Sequence, residues 1–188
     1  LRTPRRSFGS IPLPLTIYRV PGADQPNVVP VEDVLTGKVH TGQKILVVDL
    51  DQTIKAASTA DFLASQGKQV EIITEEYYIG TRIDNIVDDN IRGPLYRRLL
   101  ENGVVMCPLT RLKAIEGSSV TVANMLTHRP RLIEGVDNVV YCCGNRENNA
   151  LYYALKDEVK EIHRVGDCAG VRKLLQAVYD GAVVGRKL

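Results

Sequence analysis

The chain has 188 residues, 44% of them hydrophobic and 24% charged, with a formal net charge of +2. That length can bury a core as one domain or one and a half, and the near-neutral balance gives no reason to expect steering toward nucleic acid or an anionic membrane. No apolar run approaches the roughly 20 residues of a membrane span, and the basic start LRTPRRSFG has no apolar stretch behind it to make a signal peptide.

Leu1 to His40 carries six of the nine prolines, so regular helix is not expected before Val31. Pro21-Gly22 marks a turn, Val31 to Leu35 can form one helical turn, and Gly37 ends it. This stretch reads as a connector, or as irregular strands of a neighbouring domain. The absence of an initiator Met fits a processed chain, a subunit or an excised fragment.

Lys44 to Thr74 is the organising stretch. Ile45 to Val48 is a short continuous apolar run, the pattern of a strand buried on both faces. Ala56 to Ser65 has helical spacing, with Ala56, Ala60, Leu63 and Ala64 facing a sheet, and Gly67 closes the helix. Val70, Ile72 and Ile73 begin the next strand. The result is a βαβ opening of the kind that binds dinucleotides when its first turn is rich in glycine. Here the three glycine places fall at Asp51, Thr53 and Ala56. Asp51 puts a carboxylate where a pyrophosphate would need close backbone approach, and it is expected to cap the helix in the phosphate's stead. After the second strand comes EEYYIG, in which Glu75 is placed either to bind a ribose hydroxyl or to sit solvated in a loop.

Asp84 to Asn102 reads as a second helix, with Ile91, Leu95, Leu99 and Leu100 as its apolar stripe, Pro94 inside it, and Asn102-Gly103 at its end. Val104 to Met106 resumes as strand. From Thr110 to Ile133 short alternating segments predict an antiparallel meander, with a hairpin at Gly117 to Ser119. Val136 to Cys142 is a further strand, Gly144 to Asn149 a polar loop, and Ala150 to Asp157 a short helix. Ile162 to Val165 reads as a strand, Gly166-Asp167-Cys168 as a turn, and Val171 to Gly185 as a helix whose apolar face is Leu174, Leu175, Val178 and Ala182. A Gly-Asp pair at such a turn suits a nucleotide: Gly166 lets a ligand approach the backbone, and Asp167 accepts hydrogen bonds from sugar hydroxyls, unless it only caps the helix.

The four cysteines, Cys107, Cys142, Cys143 and Cys168, include no CxxC pair and lack the spacing for zinc or an iron–sulfur cluster. They read as reduced thiols in a cytoplasmic protein. His40, His128 and His163 lie in unrelated segments, and no residue stands out as a catalytic acid, base or nucleophile.

VGDCAGVRKLLQAVYDGAVVGRKL, VVYCCGNRENNALYYAL and LRTPRR together resemble the C-terminal region of the trimethylamine dehydrogenase and 2,4-dienoyl-CoA reductase flavoproteins. The resemblance covers essentially the whole chain. It implies that Gly166, Asp167 and Cys168 lie in the family's second FAD-contacting motif, and that Cys143-Gly144 takes the Thr-Gly place of a second segment. It also implies an NAD(P)-type domain at residues 42–142, flanked by FAD-domain pieces at 1–41 and 143–188. The FMN, the iron–sulfur cluster, the N-terminal barrel and the opening of the FAD domain would belong to a longer parent protein. The predicted fold is α/β and Rossmann-like: a parallel sheet of four or five strands, helices, and an antiparallel meander on one side. The expected cofactor is FAD or ADP in a partial site, with any electrons leaving to an electron-transfer flavoprotein, because the glycine-free turn resembles the dehydrogenase branch. Two alternatives stay open: an NAD(P)H-binding reductase module using Glu75, and a scaffold that binds no nucleotide.

Overall fold

The computed structural model describes residues 10–12, 20–81 and 89–188. In chain order its elements are β1 (Ser10–Pro12), β2 (Val28–Pro30), α1 (Val31–Leu35), β3 (Lys44–Asp49), α2 (Ile54–Ala64), β4 (Gln69–Thr74), α3 (Asp89–Glu101), β5 (Val105–Cys107), β6 (Thr110–Glu116), β7 (Ser119–Asn124), β8 (Pro130–Ile133), β9 (Asn138–Cys142), β10 (Asn145–Glu147), α4 (Ala150–Leu155) and α5 (Leu174–Gly185). They fall into two units, one within Pro14–Cys143 and one built from segments within Leu1–Leu13 and Gly144–Leu188.

The larger unit is a Rossmann-like α/β domain of three layers. Its centre is a five-stranded parallel sheet in the order β2-β9-β3-β4-β5. The continuous apolar run of β3 feeds both faces. Ile45 and Val47 pack against Ala56, Ala60 and Leu63 of α2 and Leu95 and Leu99 of α3. Leu46 and Val48 pack on the other side against Leu112, Val120, Val122 and Ile133 of the meander β6-β7-β8. The described helices of this unit thus cover one face, and the antiparallel sheet covers the other.

Several expectations are met closely. The hairpin between β6 and β7 turns at Gly117-Ser118. Pro94, expected to divide or kink the second helix or to stand at the first turn of a shorter one, lies inside an undivided α3. Helix α2 runs Ile54–Ala64, two residues ahead of the expected start. Asp61, buried on α2, ties that helix to α3 through Arg98 at 2.5 Å and Asn102 at 3.1 Å.

Other expectations are corrected. Val28–Pro30, read as connector or as an irregular strand of a neighbouring domain, is the outer strand of the main sheet, where a proline ending an edge strand costs no ladder bond. Of the predicted stripe of α3, Leu95 and Leu99 are buried, whereas Ile91 and Leu100 are exposed. The first residues of that predicted helix, before Asp89, lie outside the described residues, as does LRTPRR. In the smaller unit Asn145–Glu147, read as loop, pairs antiparallel with Ser10–Pro12. Ile162 to Val165 is not a strand, for no described strand lies beside it to supply ladder partners. None of residues 144–188 is buried. The predicted apolar face of α5 is open: Leu174 is 80%, Leu175 74% and Val178 62% exposed.

Gly22 shows how the segment after residue 20 is fixed. Its φ is +81°, and a Cβ there would stand 1.9 Å from the carbonyl oxygen of Ile115. Gln25 locks the same contact by donating to Ile115 O at 2.7 Å and accepting from the Gly117 amide at 2.9 Å. Gly67 has a similar φ of +78° but open space around it. Gly67→Ala is expected to cost about 1–2 kcal/mol for the left-handed backbone alone. Gly22→Ala should cost clearly more, by ~2 kcal/mol or above, because the carbonyl cannot yield. Urea unfolding of both variants checks this, and equal losses would contradict it.

Candidate functional site

In an open parallel sheet, ligands bind beyond the carboxyl ends of the strands, where the strand order reverses. Here that place lies between β3 and β9, beside the N-terminus of α2. The amides that would face a pyrophosphate are already used. Both Leu50 and Asp51 donate their backbone N–H to the carbonyl of Cys142, at 2.8 and 3.1 Å.

The α2 N-terminus is likewise filled. Thr53, not Asp51, is the helix cap: its Oγ1 accepts from the Lys55 amide at 3.3 Å. Asp51 supports that cap from one step back. Its Oδ1 accepts from the amide and hydroxyl of Thr53 at 3.1 and 3.0 Å, and its Oδ2 pairs with the Lys55 ammonium at 3.2 Å. Lys55 Nζ also donates to Cys143 O at 3.0 Å and reaches Glu32 at 3.4 Å. Burial opposes the charge on Lys55, but the Asp51 and Glu32 carboxylates outweigh it and hold its pKa above the ordinary lysine value. An internal ion pair therefore stands where phosphate and helix dipole would meet.

Asp49, the last residue of β3, went unnoticed in the sequence. Its carboxylate is 2% exposed and accepts from the Gln52 amide at 2.8 Å and the Gly80 amide at 3.2 Å. Burial pushes its pKa up to about 6, with Asp51 and Glu76 adding in the same direction. The only sequence signal was an acid closing an apolar run. Gln52 has φ +61°, an uncommon conformation for a residue with a side chain, and its amide group donates to Glu76 at 2.9 Å.

Glu75 lies at the surface with about 40% of its side chain exposed. It makes a two-pronged pair with Arg111 of β6, at 2.9 and 2.6 Å. With the Arg131–Glu71 pair, it fastens the meander to the main sheet. The cavity beside Glu75, lined by Asp49, Thr74, Thr110 and Arg111 among others, holds about 120 Å³. Ligand pockets take roughly 300–1,000 Å³, and this cavity is smaller than that. A larger hollow of about 330 Å³ lies at the amino ends of β3 and β4, away from this crevice.

Gly144, Gly166, Asp167 and Cys168 lie in the other unit. Gly166 has φ +63°, and a Cβ on it would come within 3.3 Å of Ala177 in α5, so the close approach it permits is by this helix. Asp167 is the middle residue of a 3₁₀ turn, Gly166–Cys168, and does not cap α5, whose cap position is Lys173. No described residue hydrogen-bonds the Asp167 carboxylate, which leaves it able to accept from a sugar hydroxyl. Cys168 Sγ donates to Val165 O at 3.0 Å, and Gly144 is an exposed residue just ahead of β10. The structure thus brings Asp51 and Thr53 together, sets Glu75 apart from them on the meander side, and groups Gly166, Asp167 and Cys168 in one turn.

Thiol chemistry has little support. All four cysteines are free. Burial pushes the Cys107 thiol up to about 11 and raises Cys142 well above its usual value, so neither is a thiolate at neutral pH. Among the described residues no cluster has the make-up of a metal site, and no helix is long and apolar enough to cross a membrane.

No protein-family model matches the chain. It is similar to N,N-dimethylglycine/sarcosine dehydrogenase of Chromohalobacter salexigens, with 28% identity over 81% of this chain and 26% of that protein. Among solved structures it is similar to 6-hydroxypseudooxynicotine amine oxidase of Pseudomonas geniculata N1, at a TM-score of 0.80 and 30% identity over 88% of this chain and 25% of the other. It is also similar to 2-naphthoyl-CoA reductase in complex with 2-naphthoyl-CoA, at a TM-score of 0.81 and 28% identity over 96% and 26%. The chain spans about a quarter of the length of these relatives. It is flavoprotein-oxidoreductase-like, in an α/β fold shared with dehydrogenases, oxidases and reductases.

Asp49 gives a pH signature to the larger unit. A pKa raised on folding means that the folded state holds a proton between about 3.8 and 6 that the unfolded chain has released. The stability this proton adds is fully present below 3.8 and lost as pH rises through about 6. Relative to Asp49→Asn, the wild-type protein should gain about 2 kcal/mol between pH 7.5 and 4.5 in denaturant unfolding. A constant difference across that range would contradict the buried carboxyl.

Proposed function

We propose that this chain is a nucleotide-binding-type module of a flavoprotein oxidoreductase resembling the trimethylamine and dimethylamine dehydrogenases. Its α/β unit is a dinucleotide domain whose crevice the chain's own side chains have closed, and it serves as scaffold and docking surface. The observation that carries this reading is the Asp51–Lys55 pair at the Thr53-capped start of α2, beside a cavity of about 120 Å³. A phosphate arriving there would displace a buried ion pair and meet the Asp49 and Asp51 carboxylates, two unfavourable changes at one place.

The Gly166–Asp167 turn is the part suited to FAD or ADP. Asp167 would accept from ribityl or ribose hydroxyls, and Gly144 would lie at the edge of the same half-site, as the family resemblance implies. A flavin held there would carry electrons, and the residues of this chain would hold its sugar and exclude water. The other half of the site belongs to a longer parent protein in this reading, together with a barrel bearing FMN and an iron–sulfur cluster. Residues 144–188 support that view, since none is buried and the apolar side of α5 lies open. A helix with such a face is stabilised chiefly by packing against something else. Substrate oxidation would occur in the barrel, the chain alone would be inactive, and electrons would leave to an electron-transfer flavoprotein. The free cysteines fit a cytoplasmic setting.

A reductase reading draws its support from the similarity to 2-naphthoyl-CoA reductase. One calorimetric experiment separates the two. NADH, NADPH and ADP are titrated into the chain and into the longer protein that contains it. The closed-crevice reading expects no nicotinamide binding by either, with ADP or FAD held only by the longer protein. Micromolar NADH or NADPH binding by the chain would overturn it in favour of the reductase.

A further inference from the structure

The missing glycines explain only the phosphate end of the crevice. The adenosine end, beyond the carboxyl end of β4, is covered by a different device. After Thr74 the chain does not leave the sheet. Glu75 to Thr81 reaches back to the carboxyl end of β3 and is tied at Glu75, Glu76, Ile79 and Gly80, while Tyr77 and Tyr78 between them are exposed. Ile79 is 1% exposed and packs into the helix-side core with residues of α2 and α3. Its carbonyl accepts from the Tyr96 hydroxyl of α3 at 2.7 Å. The next residue, Gly80, donates its amide to Asp49 of β3 at 3.2 Å. Glu76 accepts through its side chain from Gln52, on the β3–α2 turn, at 2.9 Å, and through its carbonyl from the Leu109 amide at 2.8 Å. Glu75 is held by Arg111.

These ties join the segment to four neighbours: the end of β3, the turn leading into α2, helix α3, and the approach to β6. The Ile79 side chain is held in the helix-side core and its carbonyl by Tyr96, and Glu75, the acid expected for a ribose, is already engaged by Arg111. We propose that Glu75–Thr81 is an internal strap seated in the adenosine end of the crevice. Ile79, Tyr96 and Asp49 thereby determine what the crevice admits, in addition to the glycine-free turn. The inference rests on reading the crevice as a closed dinucleotide site, and it adds that restoring the turn alone does not reopen it.

ADP is the probe, titrated calorimetrically into three variants of the chain. One restores the turn (Asp51→Gly, Thr53→Gly, Ala56→Gly), one loosens the strap (Ile79→Ala with Tyr96→Phe), and one combines them. The strap predicts that the turn variant binds ADP at least tenfold more weakly than the combined variant. Equal affinity in those two would overturn it, and so would a combined variant that binds no better than the unaltered chain. ADP or NADPH binding by the unaltered chain would instead count against the closed-crevice reading itself, so the two failures are distinct. Amide exchange supplies a second readout that needs only the single variant Tyr96→Phe. Gly80 should exchange at least tenfold faster while the amides of β3 keep their protection. Unchanged protection at Gly80 would overturn the strap.

Discussion

Lys55 is the group on which the larger unit turns. Its ammonium lies half-buried at the start of α2 and binds three parts of the chain at once: Asp51 on the turn behind it, Glu32 of α1, and the carbonyl of Cys143 at the end of β9. A buried charge is tolerated only when its partners replace water, and here they raise rather than lower its pKa. The same contacts fix the Thr53 cap and bring the β3–α2 turn down on Cys142. That arrangement stabilises the fold and, in the proposed reading, removes a binding site as well, because the donors and dipole that would have met a phosphate now meet the protein.

The crevice is closed by two unlike means. At the phosphate end the closure is electrostatic, with an ion pair and consumed backbone amides. At the adenosine end it is steric, with Ile79 placed in the core and its flanks held by hydrogen bonds to Tyr96 and Asp49. Asp49 serves both ends, accepting from Gln52 on the turn and from Gly80 on the strap. The smaller unit is the opposite case. It retains a glycine turn and an acid of the kind a nucleotide's sugar requires, yet residues 144–188 have no buried core.

Most of the α/β architecture was legible because it is written in local patterns. The run Ile45 to Val48 shows a strand covered on both faces, the spacing from Ala56 gives the helix, and alternation from Thr110 gives the meander. What escaped depends on partners distant in sequence. β2 is three residues ending in proline, and only its pairing with β9 makes it a strand. Ile162 to Val165 has strand composition but no described neighbour to pair with. The site shows the same limit. The loss of glycines at Asp51, Thr53 and Ala56 could be read directly, whereas Glu75 finds Arg111 36 residues away and Gly80 finds Asp49 31 residues away. Asp49 looked like the end of a strand, and nothing in its neighbours in sequence reported that it would be buried with two amides upon it.

The central claim is that the chain's own groups occupy the crevice at the carboxyl ends of β3 and β4. Backbone amide resonances of the isotopically labelled chain, followed during a titration with NADPH, test it most directly. The account predicts that the amides of Leu50 to Thr53 and of Gly80 stay in place up to millimolar NADPH. Saturable shifts concentrated at those amides would contradict it.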